Sequence, residues 1–182
     1  VYGYLQMDDT MSLSSNNDDF SIEFWMRPRG QTNSIYTEVF FSVGEFMFGY
    51  KQNSLYEGYI YAVGDGNDDY LFYHYFNNAA THDNGGLAPD SRNQKWKHIA
   101  LVYDHSNTLT SNTKCDLYID GIKISIFRKQ NGSELNIASV TFDVNSKPHI
   151  GLGDNKYYKG QMDCFRFTRS IRYTSDFDQY VT

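Results

Sequence analysis

The sequence predicts an all-β fold, a two-sheet antiparallel jelly-roll sandwich, and three observations predict it. Apolar and polar residues alternate with a period of two over many short runs. Turn signals built from Gly, Asn and Asp recur about every 8–12 residues between those runs. No segment sustains a helical period; the one stretch read as helical is a single turn over Ser175 to Tyr180.

The elements follow in order. Tyr2-Gly-Tyr-Leu-Gln-Met7 reads as a first strand. Phe20 to Arg27 puts Phe20, Ile22, Phe24 and Met26 on one face, and Pro28 ends the run because it cannot donate to a ladder. Val39 to Gly44 and Phe46 to Tyr50 pair across Gly44-Glu45, and Leu55 to Val63 pairs with Tyr70 to Phe76 across Gly64-Asp-Gly-Asn-Asp-Asp69. Residues 77–95 form the longest irregular stretch, with Asn84-Gly-Gly86 at its centre. Trp96-Lys-His-Ile-Ala-Leu-Val-Tyr-Asp104 and Leu117-Tyr-Ile-Asp-Gly121 are the strongest pair, and Asp120-Gly121 supplies the tight turn into Ile122-Lys-Ile-Ser-Ile126. Ile99, Leu101 and Tyr103 aim at the space between the sheets. Ala100 and Val102 are apolar too, so this strand is expected to be covered on both faces. Strands around Ile124 to Arg128, Val140 to Val144, His149 to Gly153 and Gly160 to Arg169 complete the set. No repeat or linker interrupts them, and residues 1–182 read as one domain.

Composition narrows the function. Aromatics make up 17% of the 182 residues and only 3 prolines occur, which favours strands over disorder. A net charge of −6 opposes nucleic acid or an anionic membrane as the main partner, and no segment approaches the roughly 20 apolar residues of a membrane span. The opening at Val1, directly into a strand, reads as a processed chain or a segment of a longer protein. Cys115 and Cys164 read as two thiols in preference to a disulfide.

Four pieces resemble the concanavalin A-like lectin/glucanase superfamily, in its laminin-G-like and pentraxin-like branch. They are Tyr4-Leu-Gln-Met-Asp8; Phe20 to Pro28; Trp96 to Asp104 with Leu117 to Gly121; and Ile150-Gly-Leu-Gly153 running into Tyr158-Lys-Gly-Gln-Met-Asp-Cys-Phe-Arg-Phe167. The tail Arg166 to Phe177 is similar to the ends of such domains in bacteriophage and other virus structural proteins. The resemblance implies a convex and a concave sheet with the N- and C-terminal strands side by side. It places Trp25 and Trp96 among core strand residues, in preference to ligand platforms. It also implies a structural Ca²⁺ between the first strand and an Asp of the last, which points to Asp8, Asp9 and Asp163, oxygen donors of the kind calcium takes; the alternative is that Asp163 accepts turn hydrogen bonds and Asp8-Asp9 cap a turn.

Glucanases of this fold carry paired acids on alternate positions of one strand, close enough for nucleophile and general acid. Glu23, Glu38, Glu45, Glu57 and Glu134 have no such partner, and no hydrolase, phosphate-loop or zinc motif occurs. His98, inside a strand, reads as a structural imidazole. The chain is therefore expected to be no enzyme. Sugar recognition needs aromatic faces for pyranose C–H groups and polar side chains for hydroxyls. Tyr59, Tyr61, Asn67, Tyr70 and Tyr73 supply one such cluster, Tyr157 and Tyr158 a second. The expected function is a glycan- or glycoprotein-binding module of a larger extracellular or virion-surface assembly. A decoration domain meeting other chains is the alternative, and a glycosidase a distant third.

Overall fold

The computed structural model describes residues 3–8, 19–27, 36–52, 57–63, 70–77, 96–105, 115–124 and 146–178. Thirteen strands are present among them: β1 (Leu5–Gln6), β2 (Phe20–Arg27), β3 (Tyr36–Val43), β4 (Phe46–Gln52), β5 (Glu57–Val63), β6 (Tyr70–Asn77), β7 (Lys97–Tyr103), β8 (Cys115–Ile119), β9 (Ile122–Ile124), β10 (His149–Ile150), β11 (Leu152–Gly153), β12 (Lys156–Tyr157) and β13 (Gln161–Thr168). They form a six-stranded sheet ordered β1-β10-β3-β4-β5-β6, a five-stranded sheet ordered β13-β2-β7-β8-β9, and the small hairpin β11-β12. Every pairing is antiparallel. The expected sandwich is what forms.

The core lies where the alternation aims it. Phe20, Ile22, Phe24 and Met26 of β2, with Ile99, Leu101 and Tyr103 of β7, face Phe41, Val43, Phe46, Phe48 and Ile60 of the other sheet. Aromatic rings dominate the seam: Phe24 meets Phe40 at 5.3 Å and Phe48 at 6.0 Å between centroids. Each fully buried Phe is worth about 1.5–3 kcal/mol, so this seam far outweighs any surface contact.

Two irregularities re-aim side chains. In β13 the register shifts between Asp163 and Arg166, and Cys164 takes φ 51°. One extra residue at that bulge turns Phe165 and Phe167, not Cys164 and Arg166, toward the core. In β3 a shift between Val39 and Phe41 lets Phe40 and Phe41 both join the core.

The outer face of the five-stranded sheet is covered as expected, and its cover is the tail. Residues 169–178 cross it as a strap, with Tyr173, Ile171 and Phe177 packed on Ala100, Val102 and Tyr118. The Tyr173 and Phe177 rings stack at 3.6 Å. Polar ties hold the strap: the Arg172 N–H donates to Ser21 Oγ at 3.1 Å, Ser21 Oγ donates to the Ser170 carbonyl at 2.7 Å, and the Phe177 N–H to the Gly121 carbonyl at 2.9 Å.

Several expectations need correction. β1 pairs with β10 and β13 with β2, so the first and last strands belong to different sheets. The segment from Ser175 through Asp178 is not helical; its polar groups tie to the sheet beneath, as where Asp176 Oδ1 accepts the Lys123 N–H. Trp96 is 41% exposed just ahead of β7, and Trp25 is half-buried on the outer face against His98, so neither is a core residue. Cys115 and Cys164 are free thiols, as expected, one buried and the other exposed. The expected strand at Val140 to Val144 lies outside the described residues.

Candidate functional site

A groove of about 630 Å³ opens at the β1 edge of the six-stranded sheet, under the β11-β12 hairpin. Register builds its floor. Gln6 stands opposite His149, and His149 opposite Ser42, so the three form one row across β1, β10 and β3. Gly151 then turns the chain with φ 80°, a value glycine adopts without cost, and sends the hairpin over the sheet's outer face. Ser42 Oγ clamps it there by donating to the Leu152 carbonyl at 2.6 Å. The hairpin loop is Asp154-Asn155, both with positive φ (45° and 56°), the backbone of a type I′ turn that Asp and Asn tolerate.

The groove's walls are aromatic and its rim polar. Tyr4, 48% exposed, lies 5.9 Å from the His149 ring and 6.4 Å from Tyr157, tilted by 54° and 53°. Gln6, Ser146, Lys147, Asp154 and Asn155 line the rest. Lys156 Nζ pairs with Asp154 at 2.6 Å. The arrangement offers ring faces beside amide, hydroxyl and ammonium groups. That is the chemistry of hydroxyl-rich ligands.

The sequence-predicted residues scatter. Tyr157 is in the groove. Tyr158, its neighbour, points the other way: it is 7% exposed, packs edge-on against Phe40 at 5.3 Å and donates its hydroxyl to the Gln161 carbonyl at 3.3 Å. It is a core residue and no stacking platform. Tyr61 is 4% exposed and lies across Gly49, its hydroxyl 3.0 Å from where a Cβ would stand, so it too lacks an open face. Tyr73 is in register with Tyr61, Tyr59 with Lys51 and Tyr70 with Val63, on strands at the sheet's far edge from the groove. The side chains of Tyr59, Tyr70 and Tyr73, and the whole of Asn67, lie outside the described residues. Tyr4, His149 and the Asp154-Asn155 turn were missed. The signal was present in Leu152-Gly-Asp-Asn-Lys-Tyr157, a two-residue I′ loop between short strands.

Asp8 follows β1 on one sheet and Asp163 stands on β13 of the other, both exposed, and Asp163 Oδ1 accepts the Cys164 N–H at 2.7 Å. Asp9 lies outside the described residues. No three His, Cys, Asp or Glu side chains come together for a metal among the described residues. A calcium at Asp163 would need oxygens besides such a carboxylate cluster, from backbone carbonyls, amides or water. Among the described residues no helix is long and apolar enough to cross a membrane.

The two glutamates on long strands whose side chains are described, Glu23 and Glu38, are both committed. Glu23 is 4% exposed beneath the strap, where Tyr173 donates to Oε2 at 2.5 Å, Arg172 and Arg166 approach Oε1 at 3.1 and 3.2 Å, and His98 Nε2 lies 3.5 Å from Oε2. Burial alone would raise its pKa, but the hydrogen bonds from His98 and Tyr173 and the two guanidinium charges prevail and lower it. Glu38 is 3% exposed at the other sheet and accepts the Lys159 N–H at 3.2 Å.

Residues 1–172 match the laminin-G-type family model described as the concanavalin A-like lectin/glucanases superfamily. The chain belongs to this superfamily. No curated protein matches it by sequence. Among solved structures, this chain is similar to a native heptameric SAP-like pentraxin from Limulus polyphemus, at 8% identity and TM-score 0.56, covering 95% of this chain and 72% of that one. It is similar to the binding domain of botulinum neurotoxin DC, solved with rat synaptotagmin II, at 11% identity, TM-score 0.58, and 94% and 37% coverage. The same toxin domain was also solved with SialylT. Domain 4 of AbnA, an extracellular arabinanase from Geobacillus stearothermophilus solved with arabinotriose, follows at 16% identity, TM-score 0.53, and 92% and 67% coverage. The chain thus spans a little over a third of the toxin domains it matches, 37% of their length. At these identities the likeness is one of fold. None of these likenesses extends the tail's similarity to virus proteins.

Proposed function

We propose that this chain is a non-catalytic glycan-binding module, and that the Tyr4–His149–Tyr157 groove holds the sugar. The observation that carries the reading is that aromatic faces converge at 5.9 and 6.4 Å beside the Gln6 and Asn155 amides at a sheet edge. Neighbours of the same fold solved with SialylT and arabinotriose support it. The burial and pairing of Glu23 and Glu38 support the non-catalytic part; hydrolysis of a β-glucan lost on replacing one acid would overturn it. An extracellular or virion-surface setting is part of the proposal and rests on the resemblance of residues 166–177 alone.

The test is a glycan array probed with the chain and with Tyr4→Ala and Tyr157→Ala. Each substitution should weaken binding roughly fivefold, the worth of about 1 kcal/mol of ring stacking. Undiminished binding in both places the sugar elsewhere. Silence on every glycan by the folded chain favours a second reading, an assembly domain that meets protein. Leu5 (68% exposed) and Met7 (40%) favour that reading, since they leave an apolar edge at β1. The calcium proposal has its own test: a melting temperature higher in Ca²⁺ than in EDTA, with the difference abolished by Asp163→Ala. Equal melting in both buffers removes it.

A further inference from the structure

The groove's charges do not cancel. Asp154 is the one acidic residue among the described residues lining it, and Lys156 Nζ pairs with it at 2.6 Å. Lys147 lines the same groove, is exposed, and has no acidic partner among the described residues. His149 adds an imidazole N–H donor one ring away from Tyr4. A chain of net charge −6 disfavours anions on the whole, so an ammonium with no acidic partner among the described residues, beside the Tyr4 and Tyr157 rings, is a local exception.

We infer that the groove selects an anionic saccharide, whose carboxylate or sulfate meets Lys147 Nζ while its ring lies on Tyr4 and Tyr157. The inference rests on the glycan reading above and adds the ligand class. Carboxylate and sulfate present the same oxygen acceptors to an ammonium, and the probes separate them. Neutral sugars satisfy the amides of Gln6 and Asn155 but leave Lys147 unanswered.

The experiment is an array of matched oligosaccharides, each in neutral, carboxylated and sulfated form, probed with the chain and with Lys147→Gln at two salt concentrations. The acidic members should be retained over their neutral counterparts, weaken with salt, and lose about two- to fivefold in Lys147→Gln, the range of one exposed ion pair. Retention of the carboxylated or of the sulfated series names the group. Neutral members bound as well as acidic ones, or acidic binding unchanged in Lys147→Gln, overturns the inference and leaves the glycan reading standing. No binding to any member removes both. An unchanged melting temperature of the variant, expected for an exposed lysine, shows that the loss is one of recognition.

Discussion

Glu38 shows how one buried carboxyl sets a pH dependence for the whole fold. Burial pushes its pKa up to about 7, against the Lys159 N–H and charge that pull it down. Its charge in turn adds to the burial that raises the Tyr50 and Tyr158 hydroxyls. The unfolded chain releases this proton near the ordinary value of 4.5, whereas the folded chain keeps it to about 7. The folded state therefore binds more protons within that window, and stability falls as pH rises from about 4.5 to about 7, levelling off above. The difference is worth roughly 3 kcal/mol for a group this buried. Glu38→Gln keeps an acceptor oxygen for Lys159 and should remove the decline, which urea titrations across this range would read. An identical slope in the variant would mean that Glu38 is ionised in the folded chain. The adjacent tyrosines show what residue-level reading misses: Tyr157 and Tyr158 are equally aromatic in sequence. Only the hairpin's seating turns one into the groove and the other into the core.

At the scale of elements, the β11-β12 hairpin decides whether the groove exists. It lies flat on β3 because Gly153 has no side chain. A Cβ there would stand 2.8 Å from Val39 Cγ1, 3.1 Å from Ser42 Cβ and 3.3 Å from Met47 Sδ. Gly153→Ala should lift the hairpin, cost about 1–3 kcal/mol of stability as overpacking does, and weaken glycan binding because Tyr157 and Asn155 ride on it. Denaturant midpoint and glycan titration should fall together; a loss of stability alone would mean that the hairpin keeps its seat. The long strands were legible from period alone: β2, β7 and β8 stand where the alternation puts them. The bulges were harder. Met162-Asp-Cys-Phe165-Arg-Phe167 has its apolar residues three apart and then two, which is the trace of one extra residue, but the same spacing also reads as a strand that simply ends. Two-residue strands such as β10 and β12 carry no period at all, so beyond the strand-like His149 to Gly153 and the Asp154-Asn155 turn nothing in the sequence marked how the groove is framed.

For the whole molecule, the sandwich was readable because its period-two faces and turn residues agree along the chain, and local agreement of that kind specifies a fold. The partner of each outer face was not readable, since what covers a sheet is settled by contacts distant in sequence. Ala100 and Val102 signalled a covered face, and the strap that covers them lies some 70 residues later. The family match ends at residue 172, yet the packed unit runs on through Tyr173 and Phe177. Tyr173 is 8% exposed, stacks on Phe177, donates to Glu23 and accepts from Tyr118 at 3.3 Å through its carbonyl. A chain ended after Arg172 should lose at least the burial of that ring, about 3–5 kcal/mol, and leave Glu23 with guanidinium partners but no hydroxyl. Tyr173→Phe isolates the hydroxyl and should cost about 1.5–3 kcal/mol, less than the truncation. Urea midpoints of the three chains rank the contributions. Equal midpoints would mean that the outer face of the five-stranded sheet is stable uncovered, and that the strap rests on the fold without supporting it.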